Sequence, residues 1–517
     1  MIKIRIPRRS LALAMVLAAP TLTVADELDE IGYRSLVDRL GAAAPTGAGI
    51  VLGQVEVPNP GYGPNQSDPE FAGVTFIEES GAAGTSGHAT TVATRFYGQN
   101  LSPAPGVATV HLWDVNQFLF SGYLKQGTAS PPASPPSGLR VFNHSWIGSL
   151  GNAAGDKELL RRADYAANAF RTMWVVGVNN GAASVNEPLL AGMFHGLSVG
   201  LSSGDHGHDD TGPSADAPGR QKPEIVAPGD FTSFATPLVG GCAALLYETR
   251  ETTPELASNG LADLPQVVKA VLMAGAVRNA SWTNLPSPEV ERGATERPLD
   301  DVFGAGVVNI DRAHRIYTGL EHDGDAAVPT AATLSGPAWD YETMSGSEVH
   351  WHRIDLAETA AEVAICAAWN RITPTNWTST TLPDIDLEVF AIDATGGLVP
   401  LAGAGPEVFG GGNVRSASRV DPAELIHIRD LAAGSYAIRF QRVDGSPVTT
   451  RMAIAAWLPE AGDEPIPGDL NGDGAVDGSD FGLLLSLWGS SIPTGDLDGD
   501  GTVGGSDIGV LLANWTG

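Results

Sequence analysis

Lys222-Pro223-Glu224-Ile225-Val226-Ala227-Pro228-Gly229 is followed closely by Thr232-Ser233-Phe234-Ala235-Thr236-Pro237, and then by Val239-Gly240-Gly241-Cys242-Ala243-Ala244-Leu245-Leu246. The last of these reads as a buried helix spanning about 237–247. Ser233 opens it. Free backbone N–H groups and the positive end of the helix dipole collect at such a position, where they stabilise developing negative charge. Pro237 fits a first-turn position, which lacks an N–H partner in any case. A serine at a helix start is also a common N-cap, and its hydroxyl is a weak nucleophile without an adjacent base. The neighbouring segments therefore decide what Ser233 is for.

Working outward, strand-like runs at 50–55, 107–113, 139–142 and 173–178 alternate with helical ones at 90–97 and 157–171, and further helices are expected at 264–274 and 310–317. This alternation predicts a mostly parallel sheet with helices on both faces. Within it, Gly87-His88-Ala89-Thr90-Thr91-Val92-Ala93 puts a histidine at a helix start, where a near-neutral pKa suits a general base. Gly49-Ile50-Val51-Leu52-Gly53-Gln54-Val55-Glu56 ends a strand on a carboxylate.

Together these three segments resemble the subtilisin-like serine peptidases (subtilases) over about 49–317. The resemblance implies an α/β domain with an acid, His, Ser triad in that chain order: Glu56, His88 and Ser233. It also implies an oxyanion-hole amide from Val175-Val176-Gly177-Val178-Asn179-Asn180-Gly181, which assigns Asn179, with Asn180 the alternative. Asn143-His144-Ser145-Trp146-Ile147-Gly148 resembles the strand that receives extended substrate, giving Ser145, Trp146, Ile147 and Gly148 as substrate-binding residues. The chain departs from the family pattern where Glu56 stands in place of the usual Asp, and where Phe231 stands in place of the Gly before the Thr-Ser pair. These departures motivate the alternative of a catalytically impaired binding or scaffold protein on a subtilisin fold.

The chain has 517 residues, 43% apolar and 17% charged, with a formal net charge of −30. Such length implies several domains, and such acidity disfavours nucleic acid and anionic membranes as partners. Lys3, Arg5, Arg8 and Arg9 precede a short apolar run at 11–19 and the small residues Thr23-Val24-Ala25. This reads as a cleaved signal peptide over 1–25 and an exported, secreted or cell-surface protein. No later stretch is apolar enough to span a membrane. The expected organisation is a short polar N-terminal segment (26–46), the peptidase domain (47–318), a linker (319–333), a β-sandwich accessory domain (334–458), a second linker (459–467) and a repeat (468–517). Cys242 and Cys366 lie in apolar contexts of separate segments and read as buried free thiols.

In the repeat, Gly468-Asp469-Leu470-Asn471-Gly472-Asp473-Gly474 recurs as Gly495-Asp496-Leu497-Asp498-Gly499-Asp500-Gly501. Oxygen ligands fall at loop positions 1, 3, 5, 7 and 12: Asp469, Asn471, Asp473, the Ala475 carbonyl and Asp480, then Asp496, Asp498, Asp500, the Thr502 carbonyl and Asp507. Hard oxygen donors at this spacing suit Ca²⁺. One helix follows each loop and none precedes it, which resembles the type I dockerin domain. The resemblance implies a docking role toward a cohesin-like module.

Overall fold

The structure is a computed structural model, and it describes residues 26–279, 281–377, 380–458, 467–470, 476–489, 495, 497–498 and 502–516. The expected signal peptide and residues 459–466 of the second linker lie outside the described residues.

The chain opens with two helices, α1 (Glu27–Glu30) and α2 (Tyr33–Leu40). Asp26 caps α1, its carboxylate accepting from the Leu28 and Asp29 N–H groups while Asp29 accepts from the Asp26 N–H. The expectation of a plain polar segment at 26–46 is corrected here. Leu28, Ile31 and Leu36 are buried in the main core, and the Ile31 carbonyl accepts from Ile310 N–H at 2.8 Å. Two short amphipathic helices bury too few residues to register as a periodic pattern.

Seven strands follow: β1 (Val51–Glu56), β2 (Thr75–Glu78), β3 (Thr109–Asp114), β4 (Leu139–His144), β5 (Met173–Gly177), β6 (Leu197–Leu201) and β7 (Ile225–Ala227). They form one parallel sheet in the order β2-β3-β1-β4-β5-β6-β7. The period of two sends alternate side chains to two cores. Leu52, Val141 and Val175 face one core, shared with α3 (Gly87–Phe96), while Phe142, Trp174 and Val176 face another, shared with α4 (Ala153–Phe170). A sheet covered on both faces explains why its strands read as continuous apolar runs. Then come α5 (Thr232–Thr252), α6 (Pro254–Ser258), α7 (Pro265–Ala274) and α8 (Ile310–Thr318). Pro237 lies in the second turn of α5 rather than in the first, because the helix begins at Thr232.

The β-rich region consists of two sheets. One runs β10 (Val349–Leu356), β17 (Gly434–Arg442), β12 (Ile385–Ile392), β15 (Arg415–Ser416) and β8 (Ala294–Thr295), with β13 (Leu398–Pro400) paired to β12. The other runs β14 (Gly411–Gly412), β16 (Ala423–Leu431), β11 (Ala360–Trp369), β18 (Thr450–Trp457) and β9 (Ala338–Met344). Val363, Ile365, Ala367 and Trp369 of β11 point into the core between the sheets. Cys366 and Ala368 of the same strand, with Ala453 and Ala455 of β18, point the other way into the core of the α/β domain. Every residue of α7 is buried, and the helix packs on β11 and β18. The strand β8, placed by sequence within 47–318, pairs in parallel with β15, so the α/β segment contributes an edge to the β region.

Ion pairs tie the two together. Arg371 meets Asp164 and Asp216, each at 2.6 Å, and Glu362 meets Arg312 at 2.7 Å and Arg278 at 3.2 Å. Burial raises the Asp164 carboxyl, but Arg371 and His195 beside it outweigh that and leave it below its ordinary range. Cys242 and Cys366 are free and buried. Burial pushes the Cys366 thiol up to about 12.

In the C-terminal repeat, α9 (Gly478–Ser486) and α10 (Gly505–Ala513) pack around Val476, Leu484, Val503 and Leu511. The two copies are joined reciprocally: Thr516 N–H donates to the Val476 carbonyl, and Gly489 N–H donates to the Val503 carbonyl, both at 2.9 Å.

Candidate active site

Glu56 is the last residue of β1 and is buried (1% exposed). Its Oε2 lies 2.9 Å from His88 Nδ1, and its Oε1 accepts from Gln54 Nε2 at 3.0 Å. That amide also donates to the Ala89 carbonyl, and the Gln54 Oε1 accepts from Tyr97 OH at 2.6 Å. The carboxylate is thus fixed on both oxygens by groups that are themselves fixed. The longer glutamate reaches the imidazole without help from another acid. Asp68, the next acid along the chain, caps a short turn through Glu70 N–H.

His88 is the second residue of α3, whose N-cap Ser86 accepts from Ala89 N–H. Its side chain is 39% exposed. The hydrogen bond to Glu56 raises the imidazole above its ordinary value, against the opposing effect of partial burial. The ring lies 6.2 Å, centroid to centroid, from Phe234, the residue that follows Ser233 in the first turn of α5.

Ser233 is the second residue of α5. The Phe231 N-cap offers no capping side chain, and the Thr232 N–H is instead bonded to Asn180 Oδ1 at 2.8 Å. Thr232 Oγ1 donates to the Val178 carbonyl at 2.7 Å. Gly177 permits this approach, since a Cβ there would sit 3.0 Å from Thr236 Oγ1. Among the described residues no acceptor is bonded to the Ser233 N–H, so it is available to an oxyanion. The Ser233 hydroxyl lies 3.4 Å from the Ser145 carbonyl.

Of the two candidate amides, the structure turns Asn179 away. Its Nδ2 donates to the Val185 carbonyl and its Oδ1 accepts from Asn180 N–H. Asn180 sits against the start of α5, and its Oδ1 accepts from both Thr232 groups at 2.8 and 3.2 Å. Of the two, Asn180 and not Asn179 is therefore the amide that lies against the start of α5. The strand ends at Gly177, and the turn after it decides which asparagine faces the helix.

Ser145 and Trp146 are buried and Ile147 is 40% exposed. The Gly148 carbonyl accepts from Leu189 N–H at 3.0 Å, so part of this edge is already paired. Phe231 has φ −143° and ψ 149°, ordinary extended backbone that does not require glycine.

Of the expected calcium ligands, Asn471, Asp473, Ala475, Asp496 and Asp500 lie outside the described residues, whereas Asp469, Asp480, Asp498, Thr502 and Asp507 are described. Asp480 accepts from Leu470 and Asp477 N–H, and Asp507 from Leu497, Asp498 and Gly504 N–H. The Gly504 N–H leads in holding the Asp507 carboxyl below its usual range. These carboxylate oxygen donors at equivalent loop ends fit a hard cation. Elsewhere Glu321, Asp323 and Asp340 bring one carboxylate oxygen each within 4.8 Å of one another, a cluster that the sequence reading missed because its members are spread over a linker and a strand. Among the described residues no helix is long and apolar enough to cross a membrane.

Residues 75–306 match the Subtilase family (Peptidase_S8). The matched span contains His88, Asn180 and Ser233 and begins after Glu56. Among solved structures, the chain is similar to a protease of Pseudoalteromonas arctica at 14% identity, covering 55% of this chain and 93% of that one, with a TM-score of 0.35. It is similar to fervidolysin of Fervidobacterium pennivorans, a keratinolytic enzyme related to subtilisin, at 15% identity, covering 73% and 68%, with a TM-score of 0.34. No curated protein matches the sequence significantly. Residues 75–306 thus match the subtilase family, and this match supports a serine-type peptidase.

Proposed function

We propose that the protein is an exported endopeptidase that forms an acyl-enzyme on Ser233. The observation that carries this reading is the 2.9 Å contact from Glu56 Oε2 to His88 Nδ1, made by a buried carboxylate with its other oxygen already occupied. In this reading His88 Nε2 takes the Ser233 hydroxyl proton as Oγ attacks the scissile carbonyl, and Glu56 holds the imidazole orientation and stabilises the imidazolium. The Ser233 N–H and the Asn180 amide receive the oxyanion. His88 then gives its proton to the leaving amine. Water, activated by the same imidazole, releases the acyl group. The hydroxyl of Ser233 rests on the Ser145 carbonyl, and catalytic hydrogen bonds commonly tighten only with substrate bound.

The C-terminal repeat is assigned to calcium binding and to docking on a cohesin-like module, and the N-terminal 25 residues to export. A fluorophosphonate probe tests the core of the reading. Stoichiometric labelling at Ser233, lost in S233A together with casein hydrolysis, is expected. A folded protein that neither labels nor cleaves would refute it and leave the scaffold reading.

A further inference from the structure

Phe231 immediately precedes the Thr232-Ser233 pair and is 51% exposed. Its ring meets Phe234 edge-on, with centroids 5.7 Å apart at 88°. Phe234 in turn lies against the His88 imidazole at 6.2 Å and is backed by the Arg95 guanidinium, 5.0 Å from its centroid. Arg95 is held at 2.8 and 2.9 Å by the two carboxylate oxygens of Glu27 in α1. The aromatic pair is therefore anchored on its protein side and open on the other.

The location of the pair fixes its role. The 145–148 segment, read above as receiving extended substrate, touches Ser233 through Ser145. The leaving half must pass over the imidazole that protonates its nitrogen, and the imidazole carries the Phe234–Phe231 pair. An exposed phenyl group gains free energy when an apolar side chain covers it. Asp230 beside it disfavours an acidic residue there. Building on the peptidase reading above, we propose that Phe231 and Phe234 form a subsite that selects an apolar side chain on the first residue of the leaving half of the peptide.

The test uses peptides with one common acyl half and either Leu or Gly at the first leaving position. The ratio of kcat/KM for the two is measured in wild type, F231A and F231L. Taking the ratio within each protein cancels differences in the folded fraction. Wild type is expected to favour Leu by about ten- to two-hundred-fold, the range that one apolar pocket supplies. F231A is expected to lose most of that preference and F231L to keep most of it. An equal ratio in wild type and F231A, with both proteins cleaving, overturns this subsite and leaves the peptidase reading standing. Failure of the wild type to cleave or label overturns both.

Discussion

The Ser145 hydroxyl donates to the Ser233 carbonyl at 2.9 Å. In an uninterrupted helix that carbonyl would receive the N–H four residues on, but residue 237 is proline and has none. Asn143 Nδ2 donates to the same Ser145 hydroxyl at 2.9 Å and so orients it. The turn that presents the nucleophile is thus completed by a side chain from the segment assigned to substrate.

Ser145→Ala should leave the Ser233 carbonyl without this donor, at a cost of about 1 kcal/mol, the usual net value of such a bond. Urea unfolding measures the loss. If the bond also positions Ser233, kcat falls in the same variant while fluorophosphonate labelling slows. A variant with unchanged kcat would reduce Ser145 to a purely structural role.

Glu56 raises the His88 pKa, so the base becomes neutral only above its ordinary value near 6.5, and activity rises with pH across that higher midpoint. In Glu56→Gln the acidic limb of kcat/KM should shift downward, while kcat drops by up to about ten-thousand-fold as the imidazole loses its orientation. Glu56→Asp shortens the reach and should cost about a hundred-fold, because the surrounding backbone is set for the longer side chain.

Asn180→Ala should lower kcat by about a hundred- to a thousand-fold, the range for one lost oxyanion donor. Asn179→Ala should affect mainly the turn, reducing thermal stability with a much smaller change in kcat. The reverse order of effects on kcat would restore Asn179 to the oxyanion role.

Burial holds His144 neutral, with its pKa lowered to about 3, and lowers His195 and His427 to about 4. In the unfolded chain each binds a proton near 6.5. As pH falls from there toward 3–4, the unfolded state takes up protons that the folded state refuses, so stability is lost across that window. Urea midpoints should decline from pH 7 to pH 4. His144→Phe should flatten the decline, since both His144 ring nitrogens are buried without hydrogen-bond partners among the described residues, in an aromatic cluster with Trp174 and Phe118.

Chelation of calcium should loosen the repeat while leaving the α/β domain folded. Limited proteolysis of the full-length protein with EGTA should cut first between 468 and 517. The double variant D480N/D507N should show the same cleavage with calcium present. Equal resistance with and without calcium would count against a cation in these loops.

The α/β alternation was legible because strands covered on both faces are apolar throughout. Glu56, His88 and Ser233 stand out in the sequence because each sits in a short local motif at an element end. The choice between Asn179 and Asn180 stayed open, because the turn after β5 decides which amide lies against α5. Three strands of the sheet escaped notice, β2 and β7 for lack of length and β6 as well, and so did α1 and α2, because their buried set is three residues. The close union of the α/β and β-rich parts was hidden too. Ala368, Ala453 and Ala455 look like unremarkable strand positions until α7 is laid across them.

That union bears on how the protein could be cut or recombined. Ending the chain before residue 334 would strip α7 of its cover and leave Asp164 and Asp216 without Arg371. The catalytic half is therefore no portable cassette. Any shuffling of this protein with another would have to exchange both halves together or rebuild the helix between them.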